Sequence, residues 1–190
     1  METLFPLEPV LPEGFIYQAN FITDLEEAGL IGYIRSIKLD HCRFQGYEAK
    51  RRVASFGYDY SFDTGKLKKG EAIPAAFDGI LAKLAHRLKI GQKAFAELLV
   101  TEYPPGSVIN WHRDAPPFDL IAGISLLSDC IFKLRPYETG QAKRSARSLT
   151  VARRSLYVMQ GEARSGWQHS ISPVKELRYS ITLRTLKNPS

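Results

Sequence analysis

Cysteine is scarce: Cys42 and Cys130 are the only two in 190 residues. Two thiols cannot build a disulfide framework or a cysteine-only zinc site, so a reducing compartment, the cytoplasm, is the expected location. No stretch approaches the roughly 18 consecutive apolar residues of a membrane span. The opening METLFPLEPVLPEG carries acid and proline where a secretory signal needs basic and then apolar residues, and this argues against such an address. Internal repeats and low-complexity tracts are also missing. What remains is ordinary globular composition, 44% hydrophobic and 24% charged, which excludes a disordered or fibrous chain. The charge is not balanced: 26 Lys and Arg against 20 Asp and Glu leave +6. That excess suits a polyanionic partner such as nucleic acid, and a merely basic surface equally well.

The chain reads as one α+β domain. Residues 1–14 form an extended, proline-punctuated arm. A helix begins after Thr23, where T-D-L-E makes a capping box, with Leu25, Ala28, Ile31 and Ile34 as its apolar stripe. The aromatic, Arg-rich text from Arg43 to Tyr60 suggests a hairpin or structured loop, and DTGKLKKGEAIP a polar loop. Phe77, Ile80, Leu81, Leu84, Ala85 and Leu88 recur at the spacing of one helical face, and Gly91 is a plausible stop. From Phe95 onward, about seven short β-branched and aromatic segments separated by turn residues predict an antiparallel sandwich or barrel. The expected arrangement is two helices buttressing a C-terminal β-structure.

Only four histidines occur: His41, His86, His112 and His169. His112 and Asp114, two apart, would share one face of a strand. His169, 57 residues downstream, would join them if the sheet curls back on itself, as in a jelly roll. Two imidazoles and a carboxylate with positions left open are the ligand set of non-haem Fe(II) oxygenases. H-x-D is common by chance and is weak alone. His86 reads as a solvated surface residue, and His41 beside Cys42 is a poor metal signal. A second signature is the strand R-Y-S-I-T-L-R. It puts Arg178, Ser180, Thr182 and Arg184 on one face and Tyr179, Ile181 and Leu183 on the other. Two arginines pointing into a barrel are costly unless anions meet them, and a dicarboxylic acid would supply such an anion. Surface arginines on a half-exposed strand are the plainer alternative.

At these residues the chain resembles the AlkB-type family of Fe(II)- and 2-oxoglutarate-dependent dioxygenases. The resemblance runs from Phe44 to Leu186 and rests on three anchors: E-Y-P-P-G-S-V-I-N-W-H-R-D (Glu102–Asp114), M-Q-G-E-A-R-S-G-W-Q-H (Met159–His169) and R-Y-S-I-T-L-R (Arg178–Arg184). It implies a double-stranded β-helix (jelly-roll) core buttressed by N-terminal helices. Residues 1–94 would carry the extension, helices and substrate lid, and residues 95–187 the catalytic core. It implies Fe(II) held by His112, Asp114 and His169, with 2-oxoglutarate and O2 as co-substrates. Tyr103, Arg178 and Arg184 would meet 2-oxoglutarate or the carboxylate network beside it, Arg178 gripping the distal carboxylate. Thr101 and Ser180 stand where the family often has Asn, and each keeps a hydrogen-bonding hydroxyl. Pro116 replaces an acidic residue that helps the prototype repair enzyme read its base, so that enzyme's base preference does not transfer.

Upstream, Y-E-A-K-R-R-V-A-S-F-G-Y-D-Y looks like the substrate lid of the family. Its wording is nearest to the AlkB-like domain that hydroxylates modified wobble uridines in transfer RNA. Arg51 and Arg52 would contact phosphates, and Phe56, Tyr58 or Tyr60 would stack on a splayed base. Aromatics at even spacing on a strand also commonly bury against a core. Lys66, Lys68, Lys69, Lys143, Arg144, Arg147, Arg153 and Arg154 could track a backbone or form a solvated face. The resemblance implies oxidation of alkylated or modified nucleic-acid bases, with succinate and CO2 released, and formaldehyde where an N-methyl group is removed. The same chemistry on a protein side chain or small molecule, or a non-catalytic nucleic-acid-binding sandwich, remains open from sequence.

Overall fold

The computed structural model describes residues 11–44, 47–61, 64–137 and 146–187, with side chains described outside residues 42–48. Most of the expected N-terminal arm, together with Lys143 and Arg144, lies outside the described residues. Helix α1 spans Asp24–Ser36 and begins with the expected capping box. Thr23 Oγ1 accepts from the Glu26 amide (3.2 Å), and Glu26 Oε2 accepts from the Thr23 amide (2.7 Å). Its buried face differs from the sequence reading. Glu27, Leu30, Ile31 and Ile34 are buried, whereas Leu25 is 83% exposed and Ala28 is also exposed. The reason is electrostatic. Glu27 accepts from the Leu127 amide (2.9 Å) and pairs with Arg153, so a carboxylate occupies the first position of the buried i, i+3, i+4, i+7 row. Helix α2 spans Asp78–Leu88 and buries Ile80, Leu81, Leu84 and Ala85. It ends at Lys89 in the left-handed region (φ 56°), two residues before the expected Gly91.

The strands are β1 (Phe15–Gln18), β2 (Asp40–Phe44), β3 (Tyr47–Ser61), β4 (Lys66–Lys69), β5 (Phe95–Tyr103), β6 (Ile109–His112), β7 (Phe118–Leu126), β8 (Cys130–Pro136), β9 (Arg147–Val151), β10 (Leu156–Met159), β11 (Trp167–Ile171) and β12 (Arg178–Leu186). A short helix, α3 (Gly161–Ser165), precedes β11. The major sheet runs β1-β10-β7-β12-β5-β3-β2, with β4 added on β3, and the minor sheet runs β6-β11-β8-β9. All described pairings are antiparallel. Two antiparallel sheets facing each other over a shared core make the jelly roll.

The stretch expected as a polar loop contains β4, paired with Tyr58–Ser61. Its KLKK sequence is wholly exposed, so no hydrophobic alternation marked it as a strand. β1 escaped notice for a related reason, being a four-residue strand at a sheet edge.

Each face of the major sheet has its own job. Tyr179, Ile181 and Leu183 of β12 join Leu98, Val100, Ile124 and Val158 in a core covered by α1 and α2. The opposite face looks into the barrel, where Phe118, Phe132, Leu134, Tyr157, Met159 and Ile171 form a second cluster. Alternation along β12 therefore separates a structural face from an interior one, as its sequence predicted. No helix among the described residues is long and apolar enough to cross a membrane.

The α1 geometry gives a direct test. Ile34 is 1% exposed, so Ile34→Ala should lower unfolding free energy by about 2–5 kcal/mol. Leu25→Ala should change it by no more than about 0.5 kcal/mol, both read from urea midpoints.

Candidate metal centre and co-substrate pocket

His112 closes β6 and lies directly across from His169 on β11, their rings 4.2 Å apart between centroids. Asp114 is not on a strand. β6 stops at His112, and the carboxylate reaches the same point from the loop that leads to β7. The ligating atoms of His112, Asp114 and His169 nevertheless lie within 4.8 Å of one another, with His169 Nε2 3.5 Å from Asp114 Oδ2. His112 Nδ1 donates to the Asn110 carbonyl (2.9 Å), which turns Nε2 toward the cluster in the manner of a ligating histidine. His169 stacks on Phe132, the rings 5.4 Å apart and within 8° of parallel.

The electrostatics suit a cation. Burial, followed by the adjacent His112, pushes His169 down to about 3, so its imidazole is neutral at physiological pH and its lone pair is free to ligate. Burial alone would raise the Asp114 carboxyl. Arg184, His169 and His112 outweigh it and hold the group well below the usual carboxylate range. A neutral imidazole at His169 and an ionised carboxylate at Asp114 are the forms a metal requires, and the donor set fits Fe(II) with open positions.

Two arginines fix the carboxylate. Arg184 donates through Nη2 to Asp114 Oδ1 (2.6 Å) and through Nη1 to Glu97 Oε2 (2.6 Å). Burial disfavours the charge on Arg184, yet Asp114 and Glu97 keep it firmly protonated. Burial raises the Glu97 carboxyl despite that arginine. Arg164 of α3 donates through Nη2 to the carbonyls of Asp114 (3.3 Å), Ala115 (2.8 Å) and Phe118 (2.9 Å).

Arg178 is fully buried. Its Nε donates to Ser125 Oγ (2.9 Å), and its guanidinium centre lies 4.8 Å from the Tyr103 ring. Nη1 and Nη2 have no partner. Burial opposes its charge, while Cys130, Tyr103 and Tyr157 around it favour it. Leaving two donors of a buried cation unmet costs several kcal/mol unless an anion arrives. A carboxylate matches that fork, so the pocket fits the distal end of 2-oxoglutarate. Thr101 and Ser180, both buried, face each other across β5 and β12, and Ser125 follows Ser180 on β7. The Cys130 thiol is raised by burial and stays protonated.

The lid candidates separate. Arg51 donates to the Val108 carbonyl (3.4 Å), bridging β3 to the loop before β6. Tyr60 is half-buried against the interior cluster. Arg52 is on the other face of β3, where Glu102 accepts from its Nε (2.9 Å) and Nη2 (2.7 Å) while the side chain stays 44% exposed. Phe56 is 8% exposed and packs near Phe77 in the helix-side core (6.2 Å), so it cannot stack on a base. Tyr58 lines a cleft with Lys69, Ile73, Phe95 and Leu186. Even spacing failed because Gly57 adopts φ 85°, and a Cβ there would stand 2.2 Å from the Ala96 carbonyl oxygen. That bend breaks the alternation between Phe56 and Tyr60.

Of the expected basic cluster, Arg153 pairs with Glu27 and Arg154 with Asp24 (2.6 Å), so both serve to anchor α1. Sequence reasoning missed Glu97, Ser125, Arg164 and Tyr157. Arg164 lay inside a quoted anchor, but nothing in the text says that a guanidinium reaches three carbonyls some 46–50 residues away.

Residues 34–184 match the 2OG-Fe(II) oxygenase superfamily. The chain is 29% identical over 172 residues to tRNA (carboxymethyluridine(34)-5-O)-methyltransferase ALKBH8 of Mus musculus, covering 87% of this chain and 25% of that protein. It is 29% identical over 210 residues to the alkylated DNA repair protein ALKBH8 homolog of Arabidopsis thaliana, covering 92% and 59%. It thus spans a quarter to three-fifths of the length of these curated relatives. In fold it is similar to OsALKBH1 (TM-score 0.69, 15% identity, 92% of this chain and 98% of that one). It is also similar to a prolyl-4-hydroxylase of Pseudomonas putida (TM-score 0.63, 17% identity, 93% and 94%). With the His-Asp-His cluster, the buried arginine fork and a family match over most of its length, the chain belongs to the 2OG-Fe(II) oxygenase superfamily, whose cofactor and co-substrates are Fe(II), 2-oxoglutarate and O2.

Proposed function

We propose that the chain, acting as a single domain in the cytoplasm, oxidises alkylated or modified bases of nucleic acid presented single-stranded or flipped out of a duplex. The observation that carries the chemistry is the pair of unpartnered Arg178 nitrogens buried in the same barrel as the His-Asp-His cluster. His112, Asp114 and His169 would hold Fe(II). Arg178 would take the distal carboxylate of 2-oxoglutarate, steadied by Tyr103 and Ser125, with the Thr101 and Ser180 hydroxyls beside it. With its co-substrates bound, the centre supplies oxidative decarboxylation coupled to oxygen insertion at a C–H bond. Where that carbon is an N-methyl group, the hydroxymethyl product releases formaldehyde and the base is restored, a demethylation or repair outcome. Elsewhere the hydroxyl stays.

The substrate class is supported by the relatives' names, which refer to transfer RNA and alkylated DNA, and by the rim of the barrel. Arg51 bonds to Val108, and Lys50 Nζ approaches Gly106 in the same loop. β4, paired with the lid strand β3, carries exposed Lys66, Lys68 and Lys69. Exposed cations suit a phosphate backbone, and such binding weakens steeply with salt. Arg51, Arg52, Tyr58 and Tyr60 are the lid residues retained as substrate contacts, and Phe56, buried in the helix-side core, is not.

The protein incubated with Fe(II), 2-oxoglutarate and a panel of methylated or modified oligonucleotides should release succinate in an oxygen-dependent way. Mass spectrometry should show the loss of a CH2 or the gain of one oxygen on an oligonucleotide. Succinate release without a change in any oligonucleotide, together with salt-independent binding, would shift the substrate to a protein or small molecule. Arg178→Met should weaken 2-oxoglutarate binding by about a hundredfold or more, leaving Mn(II) binding intact in calorimetry. Arg164→Met should do the reverse. It frees the Asp114 loop, so Mn(II) affinity should fall by about ten- to a hundredfold while the circular dichroism spectrum is unchanged.

A further inference from the structure

Across the floor of the barrel, Leu99, Thr182, Gly123 and Tyr157 stand in one row over β5, β12, β7 and β10, each paired with the next. Along β12 this row falls between Ser180 and Arg184, on the same interior face. It therefore crosses the path from the Asp114 end of the site to the Arg178 end. At that point β7 has no side chain, and Tyr157 takes the space. A Cβ on Gly123 would lie 2.2 Å from the Tyr157 Cζ and 2.4 Å from its hydroxyl oxygen. The phenol is thus laid across β7. Phe132 (4.9 Å) and Phe15 (6.4 Å) brace its ring.

We propose that Tyr157, seated on Gly123, touches the co-substrate: its hydroxyl donates to a carboxylate oxygen of the 2-oxo dicarboxylate, and its ring limits the room beside the carbon chain. The pair then sets the preference for an acid with two methylenes between its ends. Arg178, Asp114, Tyr103 and Cys130 all act electrostatically on the phenol, so it lies within reach of both ends of the site. Burial pushes the phenol far above its ordinary value, so the hydroxyl keeps its proton and serves as a donor. Tyr17, the next aromatic in the row, is committed elsewhere, its hydroxyl accepting from the Ala152 amide (3.1 Å). This inference rests on the reading that the barrel takes 2-oxoglutarate.

Calorimetric titration of 2-oxoglutarate into the Mn(II)-loaded protein separates the two. Tyr157→Phe keeps the ring and loses the donor, so 2-oxoglutarate should bind about tenfold more weakly, with Mn(II) affinity and Tm unchanged. Gly123→Ala, which drives the ring toward the chain, should weaken 2-oxoglutarate as well. Tyr157→Ala should narrow the preference for 2-oxoglutarate over its one-methylene-longer homologue, 2-oxoadipate. In turnover, Tyr157→Phe should raise KM for 2-oxoglutarate more than it lowers kcat. If Tyr157→Phe binds 2-oxoglutarate like the parent protein, or loses affinity only in step with Mn(II) affinity and Tm, Tyr157 is core filling and the proposal falls. If the parent protein itself does not bind 2-oxoglutarate with Mn(II) present, the co-substrate reading falls with it.

Discussion

Two arginines of β12 reach into one small barrel, and their charges are balanced in different ways. Arg184 is neutralised internally: Asp114 and Glu97 each take one of its terminal nitrogens at 2.6 Å. Arg178 is not, since only its Nε is met, by a serine hydroxyl. A fold that tolerates the first arrangement gains a fixed carboxylate beside two histidines. A fold that tolerates the second carries a standing cost until an anion enters. The barrel is thus built around a missing negative charge, and its position on the Arg178 side determines which end of a dicarboxylate goes where.

The metal ligands depend on the same economy of contacts. His112 and His169 are placed by strand pairing, which sets their separation without further help. Asp114 lies beyond the end of β6, and a loop carboxylate has no ladder to hold it. Arg184 grips its side chain, and Arg164 grips the backbone of its loop at three carbonyls. The least regular ligand therefore has the most supporting bonds, as pre-organisation of a metal site requires.

Much of this was legible in the sequence because it followed local rules. The capping box at Thr23, the helical face from Ile80 to Ala85 and the alternation of R-Y-S-I-T-L-R are periodic statements, and the structure repeats them. Three departures come from a polar or glycine residue that overrode the periodic pattern. Glu27 took a core position because Arg153 and the Leu127 amide were waiting for it, and this turned Leu25 outward. Arg52 was drawn to Glu102 on the facing strand. Gly57 redirected β3, so Phe56 and Tyr60 ended in different cores. The partners of Glu27 and Arg52 are far away in sequence, and no periodicity encodes them. The metal triad was legible for the opposite reason: histidine is scarce in this chain, with four in 190 residues, and the triad's spacing is constrained by a resemblance.

The replacement of two expected asparagines by Thr101 and Ser180 has a geometric consequence. These residues and Ser125 form a continuous line of hydroxyls across β5, β12 and β7. Ser125, at the end of that line, occupies the Nε edge of Arg178, and this fixes which way the planar guanidinium points. With Nε taken, only the terminal pair of nitrogens remains to face a ligand, and that pair meets a carboxylate in two parallel bonds. Shorter hydroxyl side chains also leave more open volume along the floor than amides would. Tyr157, crossing over Gly123 in the adjoining row, stands beside that volume. Small residues on the central strands and one large residue from the neighbouring strand β10 are therefore complementary parts of a single pocket wall.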